Sequence, residues 1–196
     1  PPGRPDVSPT LLTRRLFLRL LGLVYLIAFA SLAVQIRGLV GEHGILPAAR
    51  FLGWVHTNYG AGAYRLLPTL FWLDASDAAL LIGAWTGAAL GPLLMLGVRP
   101  RLLLLLLWLL YLSLSAVGQD FLSFQWDALL LETGFISIFF APWQWLPRHS
   151  CQPRPMGIPL WLIRWLAFRI MFLSGLVKLT YNDVTWWNWS ALDYHY

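Results

Sequence analysis

Five long apolar stretches, near residues 16–36, 75–98, 102–118, 124–145 and 159–179, constrain this chain more than any other feature of it. A helix needs roughly 20 apolar residues to cross about 30 Å of hydrocarbon. In lipid the backbone must satisfy its own hydrogen bonds, which a helix does within one segment. The expected fold is therefore all-α: a polytopic membrane helix bundle of about five transmembrane helices, forming one domain over residues 1–196. Only 12% of the chain is charged and 58% is hydrophobic, about half the charged fraction of a soluble domain.

The net charge of +5 does not point to nucleic acid. The arginines stand in small groups between the apolar runs, with no stripe or basic tail, and read as topology signals. Arg4, Arg14, Arg15, Arg99, Arg101, Arg148 and Arg154 fall on one side, against Arg37, Arg50 and Arg65 on the other. The positive-inside rule then gives a cytoplasmic N-terminus. The triplet Ala28-Phe29-Ala30 before Ser31 looks like a signal-peptidase site. The apolar run continues to Ile36, however, so it is read as a first spanning helix.

The connection from Arg37 to Asp74 is broken by Gly41, Gly44, Pro47, Gly60, Gly62 and Pro68 and is too interrupted to span. Its apolar pieces, residues 51–55 and 66–73, are expected to lie at the interface on the far side, making this first loop interfacial and partly helical. In the second run Gly83, Gly87 and Gly91 recur every four residues, which puts small residues on one face and admits a neighbouring backbone, in the same chain or in a second copy. The third run is so rich in leucine that a largely lipid-facing helix is expected. Trp186, Trp187 and Trp189 after the fifth run form an aromatic belt at the far interface.

No catalytic residue, cofactor or metal is expected. Cys151 is the single cysteine, His43 and His56 lack metal-ligand spacing, and there is neither a nucleophile-base-acid set nor a phosphate loop. Charge inside the apolar runs is the exception that needs an answer. Asp127 and Glu132 lie in the fourth run, Arg169 and Lys178 in the fifth. An unpaired charge near the bilayer centre costs about 2.5–3.5 kcal/mol on insertion scales.

The two runs are consecutive and antiparallel, and at 1.5 Å per residue the pairs Glu132–Arg169 and Asp127–Lys178 differ in depth by only about 3 Å. Both pairs fit one register. A step of five residues turns about 140°, however, so Asp127 and Glu132 do not share a face. Pairing at Glu132–Arg169 predicts that a charge-swapped double variant folds better than either single reversal. Structural glue and chemistry both remain open for these four residues, since intramembrane charges are functional candidates by default.

Several motifs together resemble the lipase maturation factor family: Gly44-Ile45-Leu46-Pro47; Phe124-Gln125-Trp126-Asp127 with Leu129-Leu130-Leu131-Glu132-Thr133-Gly134; Arg164-Trp165 with Phe168-Arg169 and Met171-Phe172; Ser174-Gly175; Val177-Lys178-Leu179; and Ala191-Leu192 with Tyr194-His195-Tyr196. The resemblance implies a membrane protein assisting the folding or assembly of secreted lipases or similar exported proteins. It also implies further membrane segments and a lumenal C-terminal region beyond Tyr196, to which client binding is attributed, so the chain reads as a fragment.

The expected partners are membrane lipids and, through that missing region, a secreted lipase or other exported client. The expected location is the endoplasmic reticulum membrane in a eukaryote or the inner membrane in a bacterium; the dominance of arginine over Lys178 suits a bacterial source. The Asn188-Trp189-Ser190 sequon carries meaning only in the eukaryotic case. An alternative is a membrane enzyme distantly similar to vitamin K-dependent carboxylases, with Lys178 as base. Pairing with Asp127 would favour the charged amine over a neutral one, against such a role.

Overall fold

The computed structural model describes residues 9–142, 157–180 and 184–188, with Ser190 and Asp193. The chain forms two compact units, Pro1–Met156 and Gly157–Tyr196. The first contains α1 (Pro9–Val40), α2 (Ala48–Tyr59), α3 (Ala63–Leu66), α4 (Asp77–Leu96), α5 (Pro100–Gly118) and α6 (Gln125–Phe140). Short 3-10 turns occur at Gly60–Gly62, Leu70–Trp72 and Gln119–Leu122. The second contains α7 (Gly157–Thr180) and α8 (Val184–Trp187).

A helical, multi-pass membrane bundle is borne out, with one adjustment to the count. Among the described residues four helices are long and apolar enough to cross a membrane: α1, α4, α5 with its 3-10 extension to Leu122, and α7. The run expected to span 124–145 yields α6, whose 16 residues reach about 24 Å. Pro142 explains the early stop. A proline disfavours the helical region for the residue before it, and Ala141 is extended at φ −72° and ψ 144°. Residues 143–145 lie outside the described residues.

Within the first unit α1 lies along α4 as the most extensive helix pairing. Glycine makes the approach possible. A β-carbon on Gly22 would stand 3.0 Å from the carbonyl oxygen of Gly91, and one on Gly91 would stand 3.0 Å from that of Gly22. One turn along, a β-carbon on Gly87 would enter the ring of Phe29, and one on Gly83 would stand 3.2 Å from the Cζ of Phe71. Close backbone approach of this kind replaces the hydrophobic driving force that helices lack in lipid. At the ends of α4, the Ser76 hydroxyl accepts from the Ala79 amide at 3.3 Å. Gly97 turns the chain with φ 82°, the left-handed conformation in which glycine ends helices.

The third run departs from expectation. Instead of facing lipid, α5 is central: it packs on α1, α4 and α6 and buries Leu104, Leu107, Tyr111, Leu114 and Val117. Leucine serves lipid and protein contacts equally, so a run of leucines carries no signal of which face is covered. The polar members Tyr111 and Ser113, both buried, mark the protein-facing side.

The first loop is folded onto the bundle. Ala48, Leu52 and Val55 form the buried stripe of α2, with the spacing of one helix face. The Gln119 amide donates to the Leu46 carbonyl at 3.0 Å, and the Thr69 hydroxyl donates to the Ser113 carbonyl at 3.0 Å. The Ser113 hydroxyl accepts from the Leu70 amide at 3.2 Å. Asp77 joins the two ends of this loop: Oδ1 accepts from the Glu42 amide at 2.7 Å, and Oδ2 lies 3.4 Å from Arg37 Nε.

In the second unit, α7 carries an aromatic ladder along one face. Trp161 stacks on Trp165 at 5.8 Å, Trp165 meets Phe168 at 5.5 Å, and Phe168 stacks on Phe172 at 5.5 Å. The spacing of three and four residues places these rings on neighbouring turns.

Candidate functional site

Asp127 sits in the first turn of α6, where the unpaired amides of a helix N-terminus favour negative charge. It is only 5% exposed. Its Oδ1 accepts a hydrogen bond of 2.5 Å from the hydroxyl of Tyr111 on α5. Two features of the first unit, a helix terminus and a phenol, thus answer a charge that looks prohibitive in an apolar run. Oδ2 is shielded from solvent and has no hydrogen-bond partner among the described residues.

Tyr111 belongs to an aromatic cluster at the centre of the unit. Its ring meets those of Tyr25 and Phe29 edge-on, at 6.1 and 5.4 Å between centroids, and Tyr25 stacks on Phe29 at 6.0 Å. Such geometries suit the ring quadrupoles. Tyr25 and Phe29 are fully buried. Space for them comes from glycine on two other helices: Gly87 of α4 admits Phe29, and Gly134 of α6 admits the Tyr25 hydroxyl, which a β-carbon there would overlap. Two motif residues that look like a family signature, Asp127 and Gly134, are presented by α6 to this cluster.

The four charges considered from the sequence divide between the two units. Asp127 and Glu132 lie on α6, with Asp127 buried and Glu132 half-buried. Arg169 is half-buried on α7. Lys178 is exposed, its Nζ 4.1 Å from the ring centre of Trp186, a cation–π contact. Gly83, Gly87 and Gly91 are buried on α4. Two participants were not singled out from the sequence. Gly22 had no small-residue repeat around it, and Tyr25 was one aromatic residue in a long apolar run. A hydroxyl in the middle of such a run is the signal that would have drawn attention to Tyr25.

Comparison with known proteins turns this geometry into a family assignment. Residues 12–196 match the model of the lipase maturation factor transmembrane domain. The chain belongs to the lipase maturation factor family. The likeness read from the motifs is therefore borne out over nearly the whole chain. Lipase maturation factor 2 of Mus musculus is 47% identical over 202 residues, covering 93% of this chain and 28% of the relative. Its Homo sapiens counterpart is 44% identical over 207 residues, covering 94% and 28%.

Lipase maturation factor 1 of Mus musculus is 36% identical over 203 residues, covering 100% of the chain and 35% of the relative. The chain thus spans about a third or less of the length of these relatives. No solved structure matches it. The carboxylase-like alternative draws no support from these family members.

Proposed function

We propose that this chain is the membrane-embedded part of a maturation factor that assists the folding or assembly of secreted lipases or similar exported proteins. The observation that carries this reading is the match of residues 12–196 to the family's transmembrane domain. It is supported by 36–47% identity to proteins named for lipase maturation. The role is non-enzymatic. A carboxylate held by a tyrosine at the junction of α1, α5 and α6 serves to lock three helices together, and a well-packed scaffold is what such a factor needs in the membrane.

In this reading the N-terminus is cytoplasmic, as the arginine bias favours, and the loop carrying α2 and α3 lies on the far side. In a eukaryotic cell that side is the lumen of the endoplasmic reticulum, where secreted lipases fold. The full-length protein, purified in mild detergent from lipase-secreting cells, is expected to carry the immature lipase with it. Recovery of the lipase no greater than from cells expressing an unrelated multi-pass protein would count against a client interaction.

A further inference from the structure

A half-open groove of about 470 Å³ runs beside Asp127 in the first unit, within the usual size range of small-molecule sites. One wall is a face of α1 from Val24 to Leu39, about 22 Å long at 1.5 Å per residue. Phe121 and Trp126 also line it. The lining is mainly apolar. Its polar members are Ser31, Gln35, Tyr111 and Asp127, and no Lys, Arg or His lines it among the described residues.

An acceptor in this setting lacks its complement. Tyr111 satisfies Oδ1, while Oδ2 is buried with no partner among the described residues. A carboxylate held out of water is costly until it is paired with a cation and hydrogen-bonded. The fitting occupant combines an aliphatic chain, matched to the α1 face, with a head that supplies both positive charge and N–H donors. A quaternary ammonium has the charge but no N–H, and a hydroxyl has a donor but no charge. Of the zwitterionic phospholipid heads, ethanolamine, with its primary ammonium, meets both requirements.

We propose that this groove binds an ethanolamine phospholipid, with an acyl chain along α1 and the primary ammonium donating to Asp127. The proposal is independent of any client. It is tested on the full-length protein in mild detergent, offered an equal mixture of ethanolamine and choline phospholipids of identical acyl chains and read by native mass spectrometry. The ethanolamine lipid is expected to be retained about tenfold over the choline lipid, the scale of one charge-assisted hydrogen bond. Asp127→Asn is expected to bring the ratio close to one.

Ala28→Trp, on the groove wall, is expected to abolish retention of both lipids and provides a decision where the Asp127 variant does not fold. Equal retention of the two lipids by the parent protein would overturn the proposal. So would a preference that survives Asp127→Asn, or retention unaffected by Ala28→Trp. A zero-length carbodiimide cross-link between Asp127 and Lys178 in the lipid-bearing protein would also overturn it, because the ammonium would then come from the chain itself.

Discussion

Gly134→Ala is expected to destabilise the protein by about 1–3 kcal/mol, the usual cost of forcing a carbon into a packed core. Phe in place of Tyr25 is expected to return most of that loss. The added β-carbon overlaps the Tyr25 hydroxyl, whereas the next atom of the ring, Cζ, lies 3.2 Å away. That hydroxyl is buried with no hydrogen-bond partner among the described residues, so Tyr25→Phe alone forfeits no bond and is expected to be neutral or stabilising.

Thermal unfolding in detergent reads the four members of the cycle, at roughly 2–4 °C per kcal/mol for a chain of this size. Strong coupling between the two positions is the expected result. If the two substitutions add independently, the contact between α1 and α6 is not as described.

The second large effect is at the Tyr111–Asp127 bond. Tyr111→Phe removes the donor to a buried carboxylate and is expected to cost about 2–3 kcal/mol, the scale of a hydrogen bond to a charged group. Asp127→Leu alone strands the Tyr111 hydroxyl and costs about 1–3 kcal/mol. Together the two substitutions are expected to cost less than the sum, because neither polar group then remains buried without its partner. A double variant as unstable as the summed single ones would show that the bond contributes nothing beyond local packing.

Much of the architecture follows from apolar length, because lipid permits few alternatives. The membrane class and the α4 glycine repeat are written locally in the chain, and so are the motifs that mark the family. What was hidden depends on contacts distant in sequence. Gly134 is a glycine in a motif until α6 folds back against Tyr25, more than a hundred residues earlier. The central position of α5 was hidden because leucine is equally at home against lipid and against protein. Its Tyr111 was visible as a polar residue, but its partner Asp127 was not, since charge arithmetic favours a basic residue over a phenol.

The end of α6 is a different case. Pro142 stood in the sequence as a stop signal, and the aromatic residues following it, Trp143 and Trp145, made the apolar run look longer than the helix. Asp127 itself looked costly because it was read within an apolar run. Its place in the first turn of α6 is one where negative charge is favoured.

The most direct measurement is the specific activity of secreted lipase from cells whose own gene for this protein has been deleted and then restored. Deletion is expected to lower active lipase in the medium without lowering its synthesis, and the full-length protein is expected to restore it. Gly134→Ala is expected to restore less, and the Tyr25→Phe, Gly134→Ala double variant nearly as much as the parent. Secretion of every active hydrolase unchanged by the deletion would contradict a maturation role.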